Sequence, residues 1–241
     1  MNKLFAIGDV HGCIDNLDEM MSVIKIDQDR DTLVFIGDYI DRGPNSRAVV
    51  NSVIEIRKKI RNVVCLLGNH EQMLLEYHLN KINEEKFFMN GGNVTAFSYG
   101  LTRTPSGVRI NIPDSHIKFF HSLQLSYEQD NFIFVHAGLR PGIPLPQQNI
   151  KDMLCIRDEF IDKPHQFGKT VVFGHTPFKQ PLIDQYKIGI DTGAAYGGKL
   201  TCVELMEMKI YQTCLPCKKA GCCVAPHSSP AFAGAGLLQR A

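Results

Sequence analysis

Five short apolar segments along the chain constrain its fold most. Each is rich in Val, Ile, Leu or Phe, and each ends abruptly at a glycine or at a polar residue of the kind that binds metal ions. Uniformly apolar runs of this length are typical of strands that are covered on both faces of a sheet. The predicted strands comprise residues 4–7, 32–36, 63–67, 132–135 and 170–173.

Amphipathic helical patterns lie between most of these segments. Apolar residues recur every three to four positions over residues 16–24, 46–60, 72–79 and 149–161. Strands that alternate with helices predict an α/β fold. Residues 199–205 and 208–213 instead alternate or run apolar across a turn, which predicts an antiparallel hairpin and with it a second, partly antiparallel sheet.

The length of the chain indicates one domain. A chain of 241 residues can bury one sizeable core, and we predict a catalytic domain over residues 1–214. From residue 215 the composition shifts to Ala, Gly, Pro and Ser without periodicity. We interpret residues 215–241 as a tail outside the domain, whose content resembles non-native sequence.

Charge and hydropathy exclude several classes of protein. Lys and Arg number 26 against 25 Asp and Glu, and the net charge of +1 creates no field that would steer the protein towards nucleic acid or an anionic membrane. The apolar run at residues 4–7 is too short for a signal peptide, and no stretch approaches the length of a membrane span. We therefore expect a soluble cytoplasmic protein without a nucleic-acid or membrane partner; the sequence leaves its oligomeric state open.

The eight cysteines fall into two groups. Four are scattered singly through a chain too long to need disulfides, and we expect them to be reduced core residues: Cys13, Cys65, Cys155 and Cys202. The other four cluster near the C-terminus with a histidine, as zinc ligands do, but their spacing is far shorter than in a zinc ribbon or finger. This second group is Cys214, Cys217, Cys222 and Cys223 with His227.

Polar motifs follow all five predicted strands. Taken singly, each has an ordinary explanation as a turn, a helix cap or a hydrogen-bonded histidine. Jointly they do not, because α/β sheets gather ligand sites at the carboxyl ends of their strands, and independent turns have no reason to share one set of ligand residues. The motifs are Asp9-Val-His11, Asp38-Tyr-Ile-Asp41-Arg42, Asn69-His70-Glu71, His136-Ala-Gly and Gly-His175-Thr.

These residue types suit a particular chemistry. Carboxylate oxygen and imidazole nitrogen bind Mn²⁺, Fe and Zn²⁺, whereas a Mg²⁺ or Ca²⁺ site would be nearly all oxygen. Two such ions about 3.5–4 Å apart need one bridging carboxylate, generate hydroxide at neutral pH and clamp the attacking and leaving oxygens of a phosphate. The motifs therefore predict a dinuclear metal site that hydrolyses phosphate esters.

In order and composition, the motifs resemble the signatures of the calcineurin-like metallophosphoesterases. Gly8-Asp-Val-His-Gly12 and Gly37-Asp-Tyr-Ile-Asp-Arg-Gly43 are similar to the phosphoprotein phosphatase branch, which includes bacterial and bacteriophage serine/threonine phosphatases, and the resemblance runs from Leu4 to about Thr213. It implies a sandwich of two mixed β-sheets flanked by helices, with the metal site at the carboxyl ends of the strands. The implied cofactors are two divalent ions, Mn²⁺ before Fe or Zn.

The resemblance also implies which residues bind the metals. One ion falls to Asp9, His11 and Asp38, and the other to Asp38, Asn69, His136 and His175, so that Asp38 bridges the two. The implied reaction is direct attack on the phosphate by a hydroxide that bridges the ions.

Neighbouring side chains complete the implied mechanism. Arg42 matches two phosphate oxygens with its guanidinium fork, and a surface ion pair is the alternative explanation. The family pattern makes His70 the general acid, oriented by Asp41, and the alternative role for His70 is a third metal ligand.

Further substrate contacts are predicted at Asn69, Arg157 and Tyr196. Arg157 resembles the second phosphate-binding arginine of bacterial members, with an arginine on a helix surface as the alternative. Tyr196 belongs to a loop that family members place beside the active site, where it contacts substrate or merely forms the turn into the hairpin. The histidines without a motif are interpreted as ordinary ones: His78, His116, His121 and His165.

The predicted function is hydrolysis of phosphomonoesters, with phosphoserine and phosphothreonine in proteins first and phosphotyrosine also considered. The alternative enzyme is a symmetric diadenosine tetraphosphate hydrolase, whose relatives share several motifs but typically lack a carboxylate at the position of Asp41. An inactive scaffold that binds phosphate or a protein is the alternative from another class. The presence of Asp38, Arg42, Asn69 and His70 argues against that scaffold.

Overall fold

A computed structural model of the chain describes residues 2–105, 107–164 and 167–214. The predicted tail at residues 215–241 lies outside the described residues, and so do Cys217, Cys222, Cys223, His227 and the histidine His165. The domain boundary at residue 214 therefore stays a prediction.

The described part of the chain contains twelve strands and eight α-helices. The strands are β1 (Leu4–Ile7), β2 (Thr32–Phe35), β3 (Asn62–Cys65), β4 (Leu101–Thr104), β5 (Gly107–Ile110), β6 (Ser126–Gln129), β7 (Phe132–Val135), β8 (Thr170–Phe173), β9 (Leu182–Ile183), β10 (Lys187–Gly189), β11 (Thr201–Glu204) and β12 (Lys209–Gln212). The helices are α1 (Ile14–Val23), α2 (Ser46–Lys59), α3 (Asn69–His78), α4 (Glu84–Phe87), α5 (Asn93–Tyr99), α6 (Asp114–His121), α7 (Ile150–Cys155) and α8 (Asp158–Ile161). None of the described helices is long and apolar enough to cross a membrane.

Ten of the strands form two mixed sheets. The first has the order β12-β11-β1-β2-β3, in which β1, β2 and β3 are parallel and β11 is antiparallel to both of its neighbours. The second has the order β6-β7-β8-β10-β9, in which the three central strands are parallel and both edge strands are antiparallel. Strands β4 and β5 form a separate hairpin.

The two sheets pack face to face. Leu4 and Ala6 of β1 belong to one buried cluster with Phe134 of β7, so this cluster fills the space between the sheets. Phe5 points to the other side of β1 and packs with Leu17 of α1 in a second cluster. Helices α7 and α8 cover the outer face of the second sheet. These layers confirm the predicted sandwich of two mixed sheets flanked by helices.

The C-terminal hairpin joins the first sheet. Strand β11 pairs antiparallel with β1, with Phe5 opposite Glu204, whereas the second sheet is built around β7 and β8. A second mixed sheet exists, but the expectation that the hairpin indicates it is wrong. The alternation of a hairpin specifies which face is buried and not which strand edge the hairpin joins.

The predicted helix over residues 149–161 is two short helices. The chain is extended at Ile156, with ψ of 144°, and helix α8 begins only after Arg157. The carbonyl of Met153 accepts a hydrogen bond from the backbone N–H of Ala137, in the loop after β7, at 2.9 Å. In a continuous helix that carbonyl would accept from the N–H of Arg157. A tertiary contact thus replaces the helical bond and breaks the helix.

Two of the four scattered cysteines differ from the prediction. Cys65 and Cys202 are buried free thiols, as expected. Cys155 is free but exposed at the end of α7, and Cys13 is disulfide-bonded rather than reduced. Disulfide formation depends on the distance between two sulfur atoms in the folded chain, which isolated positions in a sequence do not reveal.

Candidate metal centre

The loops after β1, β2 and β3 of the first sheet and after β7 and β8 of the second meet at one edge of the sandwich. The backbone N–H of His11 donates to the carbonyl of Asp38 at 2.8 Å, and the N–H of Gly174 donates to the carbonyl of His136 at 2.8 Å. All six predicted metal ligands lie at this edge. Five of them are buried, and Asn69 is half-buried at the first position of α3.

Left-handed backbone is concentrated at the same edge. Eight non-glycine residues in the described part of the chain have a positive φ, and five of them are predicted site residues. Such conformations cost on the order of 1–3 kcal/mol each, and they persist where the surrounding structure enforces them, which is common at functional sites. The five are His11 (45°), Asp38 (51°), Asp41 (68°), Arg42 (66°) and His175 (63°).

Two glycines allow carboxylates to lie directly against the backbone. A Cβ atom on Gly68 would collide with Oδ1 of Asp38, and a Cβ atom on Gly174 would collide with Oδ1 of Asp9. Any side chain at either position would displace the carboxylate.

Asp38 occupies the centre of the site. Its Oδ2 lies 3.3 Å from Nε2 of His11, and its Oδ1 lies 3.5 Å from Nε2 of His136. Two groups of potential ligands share this carboxylate, one with His11 and His70 and the other with His136 and His175. Within each group the ligand atoms lie within 4.8 Å of one another. Asp38 is therefore placed as a residue that bridges two ions would be.

Backbone carbonyls orient the two imidazoles next to Asp38. Nδ1 of His11 lies 2.8 Å from the carbonyl oxygen of Ile40, and Nδ1 of His136 lies 3.0 Å from that of Ile36. Because a carbonyl can only accept, each Nδ1 carries the proton, and each Nε2 presents its lone pair to the site. This is the usual arrangement of histidines that bind metals, in which an outer partner sets the tautomer.

The environment of Asp38 favours its ionised form. Burial opposes ionisation, but the neighbouring His136, His70 and His11 together hold the pKa of Asp38 well below its usual value. Burial and His136 lower the pKa of His175 to about 2, so that its ring is neutral and able to bind a metal.

Asp9 lies against a second acid that the motifs did not reveal. Its Oδ2 accepts from the backbone N–H of His175 at 3.0 Å, while its Oδ1 is buried without a hydrogen-bond partner in the described structure. Burial raises the pKa of Asp9, and the carboxylates of Asp191 and Asp38 raise it further. Asp191 is itself buried, and no motif of metal ligands surrounds it in the sequence.

The donor set fits two divalent cations. Positive charge would stabilise the three clustered carboxylates of Asp9, Asp38 and Asp191, whose mutual repulsion otherwise disfavours ionisation. It would also satisfy the unpartnered Oδ1 of Asp9. Oδ1 of Asn69 and the lone pair on Nε2 of His136 are 3.0 Å apart and are both acceptors, a contact that a shared cation makes favourable. Carboxylate oxygen with imidazole nitrogen is the donor chemistry of Mn²⁺, Fe and Zn²⁺.

His70 and Asp41 form a buried pair beside the ligands. Nδ1 of His70 lies 2.6 Å from Oδ2 of Asp41, and Nε2 of His70 lies 3.9 Å from Oδ2 of Asp38 without a hydrogen-bond partner in the described structure. The other oxygen of Asp41 accepts from the hydroxyl of Thr95. Ser46 and Thr95 both accept from the backbone N–H of Asp41. The pairing of His70 with Asp41 is the one expected of an oriented general acid. His70 also lies close enough to His11 and Asp38 to bind a metal ion with them.

Glu71 is a structural residue of the site, and its motif alone indicated no role for it. Its Oε2 accepts from the backbone N–H groups of Asp38 and Gly68, at 2.9 and 3.1 Å. Its Oε1 accepts from those of Tyr39 and Ile40, at 2.8 and 3.2 Å. Burial and Asp38 raise the pKa of Glu71, whereas four donated bonds favour the carboxylate. The available signal was its place after Asn69-His70, in the same motif.

The predicted phosphate-binding residues line the exposed side of the centre. Nη1 of Arg42 lies 2.5 Å from Nε2 of His11, and its guanidinium carbon lies 5.3 Å from the ring centre of Tyr196. Tyr196 is 59% exposed. Arg157 lies at the break between α7 and α8 rather than on a helix surface. Burial raises the pKa of Tyr196, and the charges of Arg42 and Arg157 oppose that rise.

The sandwich and its ligand groups define the class as a metallohydrolase built on two mixed sheets. The model of the calcineurin-like phosphoesterase family matches residues 3–204, and the chain belongs to that family. The predicted resemblance is therefore confirmed, and the chain is a metallophosphoesterase.

Two Bacillus proteins are similar to this chain over most of its length. One, from Bacillus cereus strain AH187, is 30% identical over 241 aligned positions that cover 86% of this chain and 92% of the relative. The other, from Bacillus thuringiensis strain Al Hakam, is 29% identical over 238 positions with the same coverage. Both relatives are named asymmetrical bis(5'-nucleosyl)-tetraphosphatase PrpE.

Solved structures share the fold. A protein provisionally named a diadenosine tetraphosphatase superimposes with a TM-score of 0.69 at 24% identity, over 88% of this chain and 93% of its own. A cold-active protein-tyrosine phosphatase from a psychrophilic Shewanella superimposes with a TM-score of 0.56 at 17% identity, over 88% of this chain and 80% of its own. A serine/threonine phosphatase from Saccharomyces cerevisiae superimposes with a TM-score of 0.52 at 17% identity, over 85% of this chain and 73% of its own. At these identities the likeness concerns the fold alone.

Proposed function

We propose that this metallophosphoesterase hydrolyses bis(5'-nucleosyl) tetraphosphates. One structural observation carries the proposal: the guanidinium group of Arg42 lies beside the predicted metal ligand His11 and also lies over the ring of Tyr196. A cationic group thus connects the hydrolytic centre with an exposed aromatic ring. In a substrate whose phosphate chain ends in a nucleoside, the phosphates would lie at the metal centre and Arg42, and the base would lie near Tyr196. The names of the Bacillus relatives support the same substrate class.

The metal centre of the proposal uses residues that follow five strands. Asp9, His11, Asp38, Asn69, His136 and His175 would hold two divalent ions, with Mn²⁺ as the proposed metal. The ions supply Lewis-acid polarisation of the phosphate and activation of water at neutral pH.

The remaining side chains bind the phosphates and transfer a proton. Arg42 and Arg157 neutralise phosphate oxygens, and the guanidinium of Arg42 lies beside His11 at the edge of the centre. Nε2 of His70 donates a proton to the oxygen that leaves, because Asp41 fixes the ring through Nδ1 and Nε2 faces the ligand groups around Asp38.

A second candidate function is hydrolysis of phosphomonoesters, with phosphoserine and phosphothreonine in proteins before phosphotyrosine. The buried pair of His70 and Asp41 favours it. An alkoxide is a poor leaving group, so a general acid contributes most when the substrate is an alkyl phosphate. A nucleotide leaves more readily and gains less from the pair. An inactive scaffold has no comparable support, since it would need neither this pair nor the strained loops.

The deciding experiment compares specificity constants of the Mn²⁺-loaded chain on several substrates. These are diadenosine tetraphosphate, peptides that carry phosphoserine, phosphothreonine or phosphotyrosine, and p-nitrophenyl phosphate. We expect diadenosine tetraphosphate to have the highest kcat/KM and to yield ATP and AMP, which is asymmetrical cleavage. Two ADP molecules would indicate the symmetric reaction instead. A higher kcat/KM on a phosphopeptide would replace the first proposal by the second.

A further inference from the structure

A cavity of about 460 Å³ opens beside the proposed active site. Pro177, Phe178, Lys179 and Tyr196 contribute side chains to its lining, and Gly193 lies in the lining between them. Tyr196 also contacts Arg42, and Pro177 follows His175 by two residues, so the cavity lies next to the metal centre. We propose that this cavity binds a nucleoside of the substrate, with the base against Tyr196. This inference rests on the proposed function and specifies its nucleoside subsite.

Gly193 leaves a gap between two flat groups. Cβ of Pro177 and Cδ2 of Tyr196 each lie 3.8 Å from the position that a Cβ atom on Gly193 would occupy. A side chain at residue 193 would therefore occupy space next to both Pro177 and Tyr196. The φ of Gly193 is 71°, which also disfavours any side chain there. A flat aromatic base suits a gap between two such rings, because stacking needs only a planar partner.

Backbone hydrogen bonds hold the walls of the cavity in place. The N–H of Phe178 donates to the carbonyl of Asp191 at 3.0 Å, which ties that wall to the loop that carries Gly193. The N–H of Tyr196 donates to the carbonyl of Gly193 at 2.8 Å, within a short 3₁₀ turn. The cavity is thus formed before the substrate binds, which lowers the entropic cost of binding.

Two cationic side chains beside the cavity favour an anionic ligand, and the ring of Tyr196 favours one that also carries an aromatic group. Lys179 is exposed, and no hydrogen bond or ion pair occupies its ammonium group among the described residues. Arg42 supplies a second cation, which contacts Tyr196 and lies next to His11. A nucleotide presents phosphate to these cations and a base to the apolar wall. A phosphotyrosine side chain is the competing occupant, and the experiment includes it.

The binding experiment uses the full Mn²⁺-loaded chain and 2-aminopurine riboside 5'-monophosphate as the probe. Stacking quenches the fluorescence of this base, so the signal reports contact with an aromatic ring independently of turnover. We expect quenching with the wild type, displacement by AMP, and at least tenfold weaker displacement by ribose 5-phosphate, which lacks the base.

Three variants assign the subsite. Tyr196→Phe keeps the ring and should keep the affinity, whereas Tyr196→Leu should raise the probe Kd about tenfold without changing the inhibition constant of ribose 5-phosphate. Lys179→Ala should weaken probe binding several-fold. The matched control is Lys58→Ala, since Lys58 is an exposed lysine paired with Glu55 on α2 and outside the cavity.

Other results overturn either the inference or the proposed function. Equal displacement by AMP and ribose 5-phosphate, or an unchanged Kd in Tyr196→Leu, would show that the cavity takes no base, even if diadenosine tetraphosphate is hydrolysed. Stronger displacement by a phosphotyrosine peptide than by AMP would assign the cavity to peptide substrates. Conversely, Tyr196-dependent binding of AMP without hydrolysis of diadenosine tetraphosphate would remove the proposed function and leave the nucleoside subsite.

Discussion

Nδ1 of His70 lies 2.6 Å from Oδ2 of Asp41, and the opposite nitrogen of the same ring is buried without a hydrogen-bond partner in the described structure. One nitrogen of His70 is thus fixed while the other faces the ligand groups around Asp38. This geometry is compatible with a general acid and with a metal ligand. The two roles make different predictions about leaving groups and metal content.

Replacing His70 by Asn should affect substrates according to their leaving group. A general acid contributes about 10²–10⁴-fold, so kcat/KM on a phosphoserine peptide should fall by roughly that factor and far less on p-nitrophenyl phosphate, whose phenolate leaves readily. Metal content should not change. His78→Asn, at the exposed end of the same helix, is the control. Equal losses on both substrates, or loss of one ion, would make His70 a ligand.

Replacing Thr95 by Val should reproduce part of this pattern. Val keeps the shape of the side chain but removes the hydroxyl that donates to Asp41 and accepts from its backbone N–H. We expect kcat/KM on the phosphoserine peptide to fall about tenfold, in line with the lost hydrogen bond to the carboxylate that orients His70, and to change little on p-nitrophenyl phosphate. Asp41→Asn should act in the same direction. Ser98→Ala, which removes a hydroxyl elsewhere on α5, should change neither substrate.

Replacing Asp38 by Asn should remove activity and lower the content of both ions. Asp38 is shared by the two ligand groups, and an amide bridges cations far more weakly than a carboxylate. Elemental analysis should find two ions per wild-type chain, and activity lost on chelation should return with Mn²⁺. Asp29→Asn, at an exposed position, should keep both ions. Full activity of a metal-free wild type would contradict the dinuclear site.

Replacing Glu71 by Gln should destabilise the fold even without metal. The amide NH₂ of Gln would face two backbone N–H groups that now donate to a carboxylate oxygen, so these donors lose their acceptor. We expect a loss of about 3 kcal/mol in the free energy of unfolding, from the cost of unsatisfied buried donors. Urea denaturation in the presence of chelator measures it. Glu55→Gln, at an exposed ion pair, should leave the free energy of unfolding nearly unchanged.

The sequence predicted which residues the structure brings together at one edge, and it was less accurate about the bounds of the helices and strands around them. The residue pattern alone places Asp9, Asp38 and His136 together, because strand ends of an α/β sheet converge and each strand is recognisable from its own composition. The start of α3 at Asn69, three residues before the predicted start, was harder to predict from the sequence. Its first turn contains metal-type residues rather than apolar ones, so the helical period does not reveal it.

Contacts between distant residues were beyond the sequence. Thr95 is far along the chain from Asp41 and lies in a helix that no motif marks, yet its hydroxyl holds the carboxylate. The pairing of β11 with β1 and the break before α8 likewise depend on partners elsewhere in the fold. Propensity and periodicity describe a residue's own segment and contain no distance to another segment.

The amino-acid sequence by itself determined the chemistry of this protein: the strands, the glycines after them, and the carboxylates and imidazoles that suit two divalent ions. These features are local, because each depends on the residue type and its immediate neighbours. Only the tertiary structure decided that Asp38 is shared by two ligand groups, that Glu71 supports the loop around it, and that a cavity lies beside Tyr196. Those relationships are distances across the packed sheets, and packing alone sets them.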